Sequence, residues 1–380
     1  MEITEIELVF ADRYLFVRVH TDEGITGLGE SGTWGYLEAS AGAIQTFERY
    51  LVGKNPLKIE HHWQYLYRNC HFRGAAIMGA LSAIDIALWD IAGKHYGVPV
   101  HQLLGGPTRE KARVYAHVSG ETTEELVADC EAASNRGFTA VGHLNPLADE
   151  PRSQSYSETR AEKISEAANR VDRFREAVGT DVDLCIEIHR RLDPHEAVSL
   201  GRAIEPHYPM FMEDPTRPDN FDTMAEIARK VNVPIATGER IHTHHEFEML
   251  LERDAVDYLR PDVCMVGGLT HAKKIASLAE AHYAQVVPHN PLSPVSTATC
   301  LQLAACIPNF AIQEYPYKQD SGEPGRELIV EPLVRDGGYL SIPEKPGIGV
   351  ELDADALEDH SYQPRDLITR QHEDGSVVDM

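Results

Sequence analysis

Residues 184–189 read LCIEIH, residues 210–215 read MFMEDP and residues 234–240 read PIATGER. Each is a short apolar run that closes on a glutamate, and Glu187, Glu213 and Glu239 follow one another in two steps of 26 residues. A gap of that length holds one helix and one strand, so the segment reads as a βα repeat. The pattern continues with YLRPDV (258–263) and Asp262, QVVPHN (285–290) and His289, and FAIQE (310–314) and Glu314. In a parallel αβ barrel the C-terminal strand ends converge on one face, where such enzymes work. Three adjacent strand ends then aim three carboxylates at one point. Like charges so close repel unless a cation sits among them. An all-oxygen donor set suits a hard divalent ion, and Mg2+ is the expected cofactor.

Outward from the repeat, the pattern changes on both sides. ITEIELV (3–9) and YLFVRVH (14–20) predict two strands, and Gly24, Gly27 and Gly29 in TDEGITGLGES predict tight turns. From 36 to 98 the period becomes helical, with Ile77, Leu81, Ile84, Leu88 and Ile91 in steps of three and four. Residues 1–110 therefore read as an α+β cap, punctuated at its end by Gly105, Gly106 and Pro107. The barrel is assigned to 111–320, with RVYAHV (113–118) and FTAVGHL (138–144) as its first two strands. The polar run PLADEPRSQSYSETR (146–160) is a long insertion expected on the functional face. Residues 321–380 break the repeat and are expected to return to the cap.

A chain of 380 residues with 42% hydrophobic content has ample material for a buried core. No apolar stretch reads as a membrane span, and MEITEIELVF lacks the basic start of a signal peptide, so a cytoplasmic protein without membrane partners is expected. The six cysteines show neither a CxxC pair nor zinc spacing and read as small core residues. The formal charge is −25, from 60 acids against 35 bases, of which only ten are lysine. Such a chain repels phosphate, which argues against nucleic acid as a partner. A carboxylate-rich, lysine-poor surface resembles that of salt-adapted cytoplasmic proteins, where screening removes the self-repulsion.

His189 lies two residues after Glu187, and strand alternation puts both on one face, which places an acid/base imidazole beside the cation. Asp214 should point away from Glu213 by the same rule. Asp262 and His289 end neighbouring strands, and a carboxylate beside an imidazole raises its basicity and sets its tautomer, as a base for carbon acids needs. Glu314 is placed to hydrogen-bond substrate. The histidines of HTHHEF (242–247) read as a solvated face, and His61 and His62 show no partner pattern.

These residues resemble the enolase superfamily, and within it the mandelate racemase branch. The resemblance is carried by ALSAIDIALWDIAGKHYGVPVHQLLGG (80–106), IEIHRRLDPHEAVSLGRAIEPHYPMFMEDP (186–215), RPDVCMVGGLTHAKKIA (260–276), PHNPLSP (288–294) and IPNFAIQEY (307–315). The nearest likeness is to galactonate, gluconate and mannonate dehydratases. It implies a (β/α)7β barrel with an α+β cap, magnesium on Glu187, Glu213 and Glu239, His289 with Asp262 as base, His189 as acid and Glu314 on the eighth strand. The implied reaction is dehydration of an aldonic acid to a 2-keto-3-deoxy acid. Trp34, His71, Arg73, His143 and Asn145 are expected to choose the sugar, with Tyr156 as loop filler. A homo-oligomer is expected. Two departures stand out: the first ligand is Glu where relatives commonly carry Asp, and VGHLNP replaces a Lys-x-Lys pair on the second strand. Loss of that lysine disfavours the alternative racemase, epimerase or cycloisomerase chemistries. A low-activity mannonate-dehydratase-like protein and a non-catalytic barrel are the remaining readings.

Overall fold

The first three strands form an antiparallel sheet in the order β1 (Ile3–Ala11), β2 (Tyr14–Thr21), β3 (Thr26–Ser31). In this computed structural model, residues 1–147, 159–316, 325–365, 367 and 369–378 are described. Gly27 and Gly29 lie inside β3, and of the three glycines only Gly24 sits in a turn, with φ +77°. The turn expectation fails because these glycines answer a packing demand. A Cβ on Gly27 would stand 2.1 Å from the Ala87 carbonyl oxygen, and one on Gly29 2.0 Å from that of Ala83. Their bareness lets a helix lie directly on the sheet.

That helix is α3 (Ala75–Tyr96), which follows α1 (Leu37–Leu51) and α2 (Ile59–Asn69). Its most apolar 18-residue window has a mean hydropathy of 1.6, enough by length and composition to cross a bilayer, contrary to the expectation that no such stretch exists. It is apolar all round because 78% of that window is buried inside the protein. On its far side Asp85 accepts hydrogen bonds from the Thr270 amide and hydroxyl, at 3.0 and 2.5 Å, joining cap to barrel.

After α4 (Val100–Leu103) the chain alternates strand and helix: β4 (Lys111–His117), α5 (Thr123–Asn135), β5 (Ala140–Leu144), α6 (Arg160–Val178), β6 (Asp183–Glu187), α7 (Pro194–Ile204), β7 (Phe211–Glu213) and α8 (Phe221–Ala228). There follow β8 (Ile235–Thr237), α9 (His244–Leu251), β9 (Tyr258–Leu259), α10 (Gly268–Ala281), β10 (Gln285–Val286), α11 (Pro294–Cys306) and β11 (Gln313–Tyr315). Neighbours pair in parallel from β4 to β10. A Val286–Phe310 bridge and the β11–β4 pair, with Glu314 opposite Tyr115, close the ring. Tyr115, Ala140, Cys185, Phe211, Ala236, Val287 and Ile312 fill its interior, large rings set against small side chains. Truncating Phe211 to alanine there should cost about 3–5 kcal/mol.

Beyond the ring, β12 (Arg335–Asp336) and β13 (Tyr339–Ser341) form a hairpin, and β13 pairs antiparallel with Lys111–Arg113. β4 is therefore shared: β13 takes its first half and β11, through Val114–Ala116, its second. The C-terminal segment then reaches the cap. Gln363 N donates to Asp12 O at 2.6 Å, and the Tyr362 ring sits 4.7 Å from that of Phe10. Most of the 146–160 insertion, with Tyr156, lies outside the described residues.

Candidate active site

The register sets Glu187 of β6 directly opposite Glu213 of β7, and Glu239 follows β8 by two residues. One carboxylate oxygen from each of the three lies within 4.8 Å of the others. Burial, with the charges of Glu187 and Glu239, pushes Glu213 well above the usual carboxylate range despite its 2.5 Å contact with Arg260 Nε. Arg260 is itself buried and reaches across to Glu314 Oε2 at 2.8 Å. Arg190 bridges Glu239 and Asp214. Asp214 is not one of the three clustered glutamates: it accepts from Thr237 Oγ1 at 2.5 Å and shares Arg190 Nη1 with Glu239. Counting Asp262 and Glu314, six carboxylates gather around two guanidiniums. A dication held by Glu187, Glu213 and Glu239 fits this excess of hard oxygen donors.

Around the acids stand four imidazoles. His289 Nδ1 lies 2.9 Å from Asp262 Oδ2, and its Nε2 lies 3.4 Å from Glu239 Oε2. Burial works against its protonation, but Glu239 and then the Asp262 hydrogen bond raise it to about 10. His189 Nε2 approaches Glu187 Oε1 at 2.5 Å, and His143 Nδ1 approaches Oε2 at 2.7 Å. Burial alone would raise Glu187, yet these two imidazoles hold it well below its usual range. His117, at the end of β4, sits 3.2 Å from Glu314 Oε1, and burial with His143 nearby lowers it to about 3. Burial opposes ionisation of Glu314 too, but Arg260 draws it down to about 2.

The local backbone explains how strands so short present so many groups. His143, His189, Arg190 and Asp214 all take positive φ, from +41° to +67°. Non-glycine residues held there are strained, and such strain gathers at functional sites. His143 owes its place to a register shift between Val141 and Leu144, a bulge that turns the imidazole toward Glu187. The second strand is thus not bare of a proton-carrying group, as its lack of lysine implies.

A cavity of about 340 Å³ opens over this cluster. Trp34, His143, His189, His289, Glu239 and Glu314 line it, joined by Arg13 and Tyr14 from the cap and Arg365 from the C-terminal segment. His71 and Arg73 are exposed on the segment after α2, outside this lining, and Arg73 lies over the Tyr67 ring at 4.1 Å. Asn145 is also outside the lining, its side-chain oxygen accepting from Leu147 N at 2.8 Å. Sequence reasoning missed His117, Arg190, Arg260, Arg13 and Arg365. His117 closes the apolar run of RVYAHV as the glutamates close theirs, a signal of the same kind.

Residues 4–105 match the mandelate racemase / muconate lactonizing enzyme N-terminal domain, and residues 125–356 match the enolase C-terminal domain-like family. A D-galactonate dehydratase of Variovorax paradoxus is 35% identical over 100% of both chains. One from Ralstonia pickettii is 35% identical over 97% of this chain and 96% of its own. Among solved structures, an enolase from Agrobacterium radiobacter with bound Na and L-malate superposes with a TM-score of 0.92 at 30% identity over 100% of both chains. With both halves of the chain matched and the fold reproduced along its length, the protein belongs to the enolase superfamily, in its mandelate racemase branch.

Proposed function

We propose that this chain, a hydro-lyase of the sugar-acid dehydratase kind, converts an aldonic acid to its 2-keto-3-deoxy acid, using Mg2+. Galactonate comes first among the substrates, followed by gluconate and the pentonates. The observation that carries the reading is the pair His289 and His189, which line one cavity beside Glu187, Glu213 and Glu239. The names of the relatives add support, since D-galactonate dehydratases match along their whole length.

His289 Nε2 takes the proton from C2, with Nδ1 held by Asp262 so that the tautomer is set. The C2–H electron pair is first drawn toward the substrate's carboxylate as an enediolate, and in a second step it returns to form the C2–C3 double bond as the C3–O bond breaks. His189 gives a proton to the departing hydroxyl, which leaves as water. The enol then tautomerises to the ketone, so the net change is loss of one water. When bound at the three glutamates, a divalent cation supplies positive charge that offsets their field on His289 and steadies negative charge growing on the substrate's carboxylate. Arg260 holds Glu213 and Glu314 in place beneath the cavity.

Incubation of the purified protein and Mg2+ with five- and six-carbon aldonates, followed by a carbonyl reagent, tests the reading. Keto product from none of them sinks it. His143 favours one second reading, epimerisation at C2, because it restores a proton carrier on the second strand. Deuterium entering C2 with inversion and no keto product would select that reaction.

A further inference from the structure

The tip of β3 lies behind the His289–Asp262 dyad, outside the lining of the cavity. Glu30 is fully buried and turns its carboxylate to the start of α11. Ser293 Oγ donates to Oε2 at 2.5 Å, Ser296 N donates to the same oxygen at 2.9 Å, and Ser293 N donates to Oε1 at 3.3 Å. Ser293 is the N-cap of α11 and stands four residues after His289. The other end of that loop is held from the barrel, where Asn290 N donates to Glu314 Oε2 at 3.0 Å.

Two residues along the same cap segment, Gly32 meets the other half of the dyad. Its amide donates to Cys264 O at 3.0 Å. A Cβ there would stand 2.9 Å from Met265 Cγ, 3.0 Å from Cys264 Cβ and 3.1 Å from Asp262 Oδ1. The loops after β9 and β10, which carry Asp262 and His289, thus rest on one edge of the cap. Capping α11 does not by itself require this arrangement, since Ser293 Oγ already accepts from Val295 N at 3.0 Å. A buried carboxylate is costly unless its hydrogen bonds are made, and here burial pushes Glu30 up to about 7 even with three donors. What the carboxylate adds is a tie between the cap and the loop that carries His289.

We propose that Glu30 and Gly32 form a cap-borne clamp that positions the general base: Glu30 acts on His289 through Ser293, and Gly32 acts on Asp262 by close backbone approach. The inference rests on the assignment of His289 as base. Docking of the cap and alignment of the base are then one event, so a barrel with a loosened cap keeps its glutamates but loses proton abstraction.

The test uses the full chain with Glu30→Gln, Gly32→Ala and the milder Ser293→Ala. In protein labelled with 15N-histidine, the hydrogen-bonded Nδ1 proton of His289 is identified by its loss in Asp262→Asn. The clamp predicts that this signal shifts or broadens in Glu30→Gln and Gly32→Ala, and less in Ser293→Ala. It also predicts a ten- to hundredfold fall in kcat on the order of a lost positioning contact, with KM within about threefold, a larger isotope effect from 2-deuterated substrate, and an unchanged Mg2+ titration. An unaltered imidazole signal with lowered thermal stability would overturn it, since the contact would then be structural alone. So would parallel loss of Mg2+ binding, which would mean a general distortion. The imidazole signal needs no substrate, so it judges the clamp even if the wild-type protein makes no keto product and the dehydratase reading fails.

Discussion

His189 and Glu187 touch across a bend in the chain. Two residues apart on a straight strand, they would stand side by side. With His189 at φ +54°, its imidazole folds back until Nε2 meets Glu187 Oε1 at 2.5 Å. The proposed acid thus stands against a carboxylate of the proposed cation site, and it lines the cavity that His289 enters from the opposite arc of the barrel. The proposed reaction gives the two histidines separate tasks, and their variants should separate accordingly.

His289→Asn is expected to lose both dehydration and exchange of the C2 proton with deuterated water. His189→Asn should lose dehydration yet keep some exchange, because the proton still leaves C2 and His289 can return it. Asp262→Asn should fall between, with the imidazole present but less basic. NMR of recovered substrate reads the exchange. Exchange that survives without His289 and vanishes without His189 would reverse the roles.

Glu213→Gln keeps the shape of the side chain and removes a charge from the three-glutamate cluster. We expect kcat to fall on the order of a thousandfold, and Mg2+ binding by calorimetry to weaken with it. Wild-type Mg2+ affinity in this variant would remove Glu213 from the ligand set.

The net charge of −25 is expected to make the protein dependent on salt, because the repulsion is unscreened in dilute buffer. The thermal midpoint should rise between dilute buffer and molar potassium chloride. A flat response would require another reason for the acidic surface.

Burial raises Asp85 from 3.8 to about 7, in spite of the hydrogen bonds from Thr270. A carboxylate whose folded pKa is raised stabilises the fold fully below its unfolded pKa, and that contribution is lost as pH rises through the folded value. Its window therefore runs from about pH 4 to about pH 7, and its ceiling is about 4 kcal/mol. Denaturant unfolding across that range should show a shallower pH slope in Asp85→Asn than in the wild type. Equal slopes would refute it.

The barrel and the gathering of its three glutamates were legible because they repeat. A glutamate closing an apolar run, and doing so again 26 residues later, is a pattern no single residue can imitate. Asp262 and His289 were legible for the same reason. Arg190 and Arg260 were not, since an arginine one to three residues past a strand end looks like any solvated side chain until the fold buries it between two carboxylates. Gly27 and Gly29 were misread because a glycine that admits a helix and a glycine that turns the chain are the same letter. His143 was recognised as a residue of interest, but its contact with Glu187 depends on a bulge, and register does not show in composition.

The divided pairing of β4 bears on how the chain is made. Tyr339–Ser341 joins β4 on the β5 side, where Val114 N donates to Gly338 O, and its partner on the closing side is Gln313–Tyr315, so the first barrel strand to leave the ribosome waits for the last. Until then that side of β4 is an open template for strand addition, and contacts so distant in sequence form slowly. A chain cut before Gln313 should therefore keep its earlier βα repeats and yet aggregate, visible by light scattering as particles larger than any the intact protein forms. The barrel's seam doubles as its proof of completion: the protein buries that open edge only once its last barrel strand has been synthesised.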